Sequence, residues 1–243
     1  HEYVVEIDIQ KYFERIPHQA LMEQIDSKLS DGRVLELVEA YLEQGVLEEI
    51  QEVQPEEGTP QGSTVSPLLS NIYLDPFDHL MEQNGYETIR YADDAVVMCR
   101  SLEEAQRALV EVQQWMEHAR LQLHAEKTRI ANVNAEGFDF LGYHFERDKK
   151  WPRRMSLEKL QNTIRQKTRR TNGQGLAKII ASVNRTTSGW FEYFKHSHRN
   201  TFSTLDGWIR MRLRSILRKR ARRKGRGRGC DHQRWPNSFF AEQ

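Results

Sequence analysis

The chain has 243 residues, 38% hydrophobic and 29% charged; this suits one large domain or two modest ones, and no apolar run or signal pattern suggests a membrane span or export, so a soluble cytoplasmic protein is expected. Its formal net charge of +1 conceals a split: residues 1–150 hold 13 Lys/Arg against 30 Asp/Glu (−17), and residues 151–243 hold 23 against 5 (+18), the footprint of a nucleic-acid-binding C-terminal part. The only cysteines, Cys99 and Cys230, have no paired spacing, which argues against a disulfide framework or Cys-rich zinc site and for a reducing compartment.

In chain order, Tyr3–Ile9 is rich in β-branched and aromatic residues and reads as a strand carrying Asp8 near its end. Residues 17–29 and 31–44 have helical apolar spacing, with Gly45 closing the second helix. An acidic, partly β-prone stretch (46–57) leads to a turn at Gly58–Gly62. Ser66 is placed to cap the next helix, with Pro67 at its first position and a kink or break at Pro76. Ile89–Tyr91 and Ala95–Met98 flank Ala92-Asp93-Asp94 as the arms of a hairpin with acids at its tip. A helix over 102–120 and strands over 128–131 and 138–145 complete an α+β unit, and a break is expected at Lys149–Pro152. Beyond it three helices are predicted, at 156–170 (capped by Ser156), 176–197 and 203–224, with a Gly-punctuated basic tail over 219–229 that is flexible without a polyanion. The chain opens on His1, enters a strand within two residues and ends on Phe239–Gln243 with no terminating element, so a piece of a longer protein is expected.

Asp8 ends one strand and Asp93-Asp94 form a hairpin tip, so neighbouring strands of one sheet can gather all three carboxylates. Phosphodiester synthesis with two Mg²⁺ ions needs such a gathering of hard oxygen donors. An Asp-Asp pair taken alone is more ordinary, since such pairs are common in solvated turns.

Five blocks occur in one order: Glu6–Phe13; Gly58–Ser63 with Ser66–Leu74; Tyr91–Asp94; Leu121–Thr128; and Phe138–Tyr143. Together they resemble the palm of a reverse transcriptase, most closely the maturase type encoded in group II introns. Gly189–Phe194 resembles a motif of that type's thumb. The resemblance implies an α+β palm, an antiparallel sheet with packed helices, over residues 1–150, followed by an all-helical basic thumb over 151–243. It implies RNA-directed DNA polymerisation with two Mg²⁺ ions, Mn²⁺ being a possible substitute, held by Asp8, Asp93, Asp94 and the Ile9 carbonyl. Lys127 matches a lysine proposed to protonate or neutralise the departing pyrophosphate. Phe13 matches a steric gate against the ribose 2′-OH, Gln61 and Gly62 match the turn at the incoming nucleotide, and Phe140, Leu141 and Gly142 match the primer grip. The implied partners are dNTPs, an RNA template with a DNA or RNA primer, and a group II intron RNA in a bacterial ribonucleoprotein. The family's fingers, which bind the triphosphate, are not in these residues, so weak or no polymerisation is expected of them alone. Two alternatives stand beside this reading. One is an RNA-binding splicing maturase in which polymerisation is secondary or lost; the other is a related reverse transcriptase of a defence, CRISPR or retron system.

Overall fold

A computed structural model of the chain describes residues 1–43, 46–48, 51–53, 56–59, 64–227 and 229–240. They divide into two compact units, His1–Phe140 and Leu141–Gln243.

The first unit runs β1 (Tyr3–Asp8), α1 (His18–Asp26), α2 (Gly32–Leu42), β2 (Val46–Glu48), β3 (Gln51–Val53), α3 (Ser66–Gln83), β4 (Glu87–Tyr91), β5 (Asp94–Cys99), α4 (Leu102–His118), β6 (Arg129–Asn132) and β7 (Phe138–Phe140). Four strands form an antiparallel sheet in the order β4-β5-β1-β6. Successive strand residues point to opposite faces, and Val5, Ile7 and Ile9 join Ala95, Val97 and Cys99 in the core. Leu69, Tyr73, Phe77 and Met81 of α3 and Ala105, Ala108, Val112 and Met116 of α4 close that core at helical spacing. The opposite parity, Val4, Glu6 and Asp8 on β1 with Asp94 and Val96 on β5, therefore faces away from these helices.

The second unit runs β8 (Tyr143–Glu146), β9 (Lys149–Pro152), α5 (Arg154–Lys167), α6 (Leu176–Phe194), α7 (Asn200–Arg220) and the short α8 (Asp231–Arg234). Its core joins Leu160 and Ile164 to Ile179, Ile180 and Val183 and to Leu205, Leu213 and Ile216. Trp190 packs against this core and Phe194 is buried, their rings 4.7 Å apart along one face of α6, so this part of the thumb-like motif serves packing.

Several expectations are corrected. Val65, not Ser66, precedes α3; the Ser66 hydroxyl lies 3.0 Å from that of Tyr41 and Ser66 is the first helical residue. Of the kink or break expected at Pro76, the break does not occur: the helix continues through it, because Tyr73, Leu74, Phe77 and Met81 on both sides are buried and packing outweighs the lost N–H bond. The break expected at Lys149–Pro152 is strand β9, paired with β8 through Glu146↔Lys149. Ser156 lies inside α5, its hydroxyl donating to the Gly142 carbonyl (3.2 Å), and Arg153 takes the cap position. The basic tail is partly folded: Gly227 N–H donates to Ser215 Oγ (2.9 Å), and Arg218 pairs with buried Asp231 at 2.7 Å. The cap assigned to Gly45 lies outside the described residues.

Candidate functional site

Antiparallel pairing of β1 with β5 puts Asp8 directly opposite Asp94. Pairing of β4 with β5 joins Tyr91 to Asp94, leaving Ala92 and Asp93 as a two-residue turn. Ala92 has φ 56°, in the left-handed region that two-residue hairpins require and a Cβ resists. Asp8 and Asp94 thus share one sheet face, with Asp93 in the turn beside them. Like charges directly opposite one another destabilise a strand pair unless a cation intervenes.

A third segment closes the other side of Asp8. Ile9 bridges Leu123, Gln10 N–H donates to the Gln122 carbonyl (2.7 Å), and His124 N–H donates to the Asp8 carbonyl (2.8 Å). The Thr128 hydroxyl lies 3.3 Å from the Asp8 amide nitrogen. This brings Lys127 Nζ to 3.1 and 3.3 Å from the two Asp8 carboxylate oxygens. With side chains 58% and 40% exposed, the pair is solvated and worth little to stability; its interest is that an ammonium sits where a carboxylate faces open space.

Phe13 follows β1 in a 3-10 turn over Tyr12–Glu14. Its ring packs edge-on to Tyr12, centroids 5.4 Å apart, and its carbonyl accepts from Thr59 N–H (2.7 Å). Tyr12 is buried, which pushes its phenol well above the usual range, with the positive Arg90 opposing the shift; its hydroxyl donates to the Ser70 carbonyl at 2.5 Å. Gly58 N–H donates to the Ile16 carbonyl (2.8 Å), so the turn leading to residue 60 is fastened beside Phe13. Gln61 and Gly62 themselves lie outside the described residues. Phe140 ends β7, whereas Leu141 and Gly142 open the second unit. Both have positive φ (48° and 80°). The Leu141 carbonyl accepts from the Tyr193 hydroxyl (2.7 Å), and the Gly142 carbonyl from Arg153 N–H (2.9 Å).

The sequence reading missed Arg90. Its Nε donates to Asp78 Oδ1 (2.8 Å), its Nη2 to Asp78 Oδ2, and its Nη1 to both Asn71 Oδ1 and the Ala92 carbonyl (2.9 Å each). Hydrogen bonding to Asp78 raises the Arg90 pKa further, against the opposing effect of burial. No local signal singled it out: Asn71 and Asp78 stand seven residues apart on one face of α3, two helical turns, but polar residues recur along that helix.

Among the described residues no three His, Cys, Asp or Glu side chains form a group able to hold a metal ion unaided. The donors still fit Mg²⁺, which takes oxygen ligands, retains water and is commonly held by one or two carboxylates plus substrate phosphates.

A fold of this kind, with acids on the sheet face away from the helices, belongs to the palm-type nucleotidyl polymerases. The chain is a member of the reverse transcriptase (RNA-dependent DNA polymerase) family, whose model matches residues 1–145. Residues 157–235 match the group II intron, maturase-specific domain, so it is of the group II intron type. Protein YkfC of Escherichia coli is 27% identical, over 74% of this chain and 56% of that protein. The group II intron-encoded protein LtrA of Lactococcus lactis is 40% identical, over 32% of this chain and 13% of its own. The chain therefore spans about half the length of the first of these relatives and far less of the second. Among solved structures, telomerase from Candida albicans in complex with a fragment of telomeric RNA has a TM-score of 0.52 and 12% identity, covering 89% of this chain and 44% of its own. Apo telomerase from Candida tropicalis has a TM-score of 0.50 and 16% identity, covering 62% and 35%. These likenesses concern the fold. No helix among the described residues is long and apolar enough to cross a membrane.

Proposed function

We propose that the protein is an RNA-directed DNA polymerase whose residues 1–150 act as the palm and 151–243 as the thumb. The observation that carries this is the register Asp8↔Asp94, with Asp93 in the adjoining turn. Asp8, Asp93, Asp94 and the Ile9 carbonyl would hold two Mg²⁺ ions. When bound, the ions supply a lowered pKa at the primer 3′-hydroxyl and counter-charge at the leaving pyrophosphate.

The chain's own groups do the rest. The three carboxylates supply fixed negative charge on the sheet face, which orients cations and rejects bare phosphate. Lys127, partnered with Asp8 before substrate arrives, is free to turn to an anionic leaving group once Asp8 engages a cation. Phe13 sets the floor of the sugar pocket and excludes a 2′-hydroxyl by its bulk, which selects dNTPs. Gln61 and Gly62 approach the incoming nucleotide, and Phe140, Leu141 and Gly142 hold the primer end. The basic helices track the backbone of a template–primer duplex.

In the full-length protein with poly(rA)/oligo(dT), dTTP and Mg²⁺, Asp93→Asn is expected to reduce incorporation to background. Incorporation at the unsubstituted rate would refute the assignment.

A maturase role in binding a group II intron RNA is proposed alongside polymerisation. It is supported by the maturase-specific match over 157–235 and the +18 charge of residues 151–243.

A further inference from the structure

We propose that Arg90 is a positioning residue that sets the Asp93 carboxylate of the Ala92-Asp93 turn at the height nucleotidyl transfer requires. This rests on the reading of Asp8, Asp93 and Asp94 given above. One guanidinium binds three things at once: the Asp78 carboxylate in fork geometry, the Asn71 side-chain oxygen, and the Ala92 backbone carbonyl. Asp78 and Asn71 belong to α3, which is anchored in the core by Leu74 and Phe77. The turn is thereby tied to the most deeply packed helix of its unit.

The third partner separates positioning from simple packing. Holding β4 to α3 needs only Asp78 and Asn71. The bond to the Ala92 carbonyl fixes the peptide plane that joins Ala92 to Asp93, so it restricts how the Asp93 backbone turns. That plane follows a residue with φ 56°, a conformation that persists only where its surroundings over-determine it. The Arg90 side chain is 11% exposed, and its five rigid donors suit three acceptors in different directions. A lysine at this position offers one point charge and cannot reproduce the arrangement.

The full-length protein tests this with Arg90→Lys and Arg90→Ala measured beside Asp93→Asn. Single-turnover kcat and KM for dTTP, duplex affinity by anisotropy, thermal midpoint, and Tb³⁺ luminescence as a metal-binding probe are the readouts. Arg90→Lys is expected to lower kcat by about 10²-fold, the scale of a small misplacement of reacting groups. KM for dTTP and duplex affinity should stay within about twofold, and Tb³⁺ binding should weaken by about tenfold, one step of the affinity scale. Millimolar guanidinium, but not ammonium, should restore part of the kcat of Arg90→Ala. Should Arg90→Ala fail to fold, Asp78→Asn, which frees one arm of the fork with little change of shape, is expected to show the same fall in kcat at unchanged KM. An unchanged kcat in folded Arg90→Lys, with Asp93→Asn inactive, overturns the positioning role and leaves the catalytic reading standing. A loss accounted for by the unfolded fraction also overturns it. An active Asp93→Asn removes the catalytic reading and the positioning role with it.

Discussion

Ala92, at φ 56°, holds a backbone conformation that costs a residue with a Cβ about 1–2 kcal/mol, and it holds it immediately before the two acids Asp93 and Asp94. Glycine removes that steric cost but loses more entropy on folding, by about 0.5–1 kcal/mol. Ala92→Gly is therefore expected to leave the urea midpoint unchanged or slightly raised, for a net stabilisation of about 0–1.5 kcal/mol, while lowering kcat because the turn gains freedom. Valine, stiff at χ1 and poorly tolerated at positive φ, should cost about 1–3 kcal/mol. Equal urea midpoints for Ala92→Val and the parent chain would show that the turn is not strained. The two cysteines offer a separate check on packing. Cys99 is buried on β5 and Cys230 is exposed. Burial pushes the Cys99 thiol up to about 11 from an ordinary 9.0. Since the folded state keeps this proton longer than the unfolded one, its contribution to stability is complete below pH 9 and is lost as pH rises towards 11. A thiol reagent at pH 8 should modify Cys230 alone in the native protein and both cysteines in urea; rapid native labelling of Cys99 would contradict the packed sheet.

At the scale of elements, the turn at Gly58 shows how a local conformation secures a site. Its φ is 94°, and a Cβ there would lie 2.9 Å from the Glu14 carbonyl oxygen. Its N–H binds the Ile16 carbonyl, and its own carbonyl lies 2.5 Å from His18 Nε2. Gly58→Ala should therefore destabilise by about 1–3 kcal/mol, as residues forced into sparse backbone regions do, and should raise KM for dTTP because Thr59 is fastened to Phe13. Unaltered melting and KM would mean that this turn is not built as described. Other elements show what the sequence made legible. Strands β1 and β5 were readable as short runs of β-branched and other apolar residues, and helix α4 because its apolar residues recur at helical spacing. From this the shared sheet of Asp8 and Asp94 followed. Strand β9 was hidden because the two-residue connection before it is Arg147-Asp148, with Arg147 at φ 54°, and lacks the Asn-Gly or Asp-Gly pair that marks such hairpins. Arg90 was hidden for another reason: its partners on α3 lie 12 and 19 positions away, and no local pattern predicts which helix face covers β4. The fold of the tail depended on Gly227, where a Cβ would stand 2.6 Å from that of Arg214, a close approach invisible without the structure.

At the scale of the whole molecule, charge decides where a polyanion settles. Residues 1–150 carry −17 and residues 151–243 carry +18, so sequence-independent affinity should come from the second part. Its arginines are nonetheless not equivalent. Arg214 is 2% exposed and donates to the Trp235 carbonyl (2.9 Å) and Asn237 Oδ1 (2.6 Å). Arg212 donates to Thr168 Oγ1 (2.6 Å) and the Arg165 carbonyl (3.2 Å) at the end of α5, where helix polarity favours a cation. Both hold the fold together. Arg169, Arg222 and Arg223 are exposed and available to phosphates. Each neutralised phosphate releases condensed counterions, so the slope of log K against log salt falls by about 0.7–0.9 for each contact removed. Arg169→Gln, Arg222→Gln and Arg223→Gln should each lower that slope by about this amount and weaken binding equally across duplex sequences, with melting unchanged. Arg214→Gln should do the reverse, lowering the melting temperature while leaving the slope of the folded fraction alone. Anisotropy titrations of an RNA/DNA hybrid over a range of KCl concentrations distinguish the two classes. If the three exposed substitutions leave the slope unchanged, the duplex does not lie against these side chains, and the excess positive charge of residues 151–243 serves another purpose.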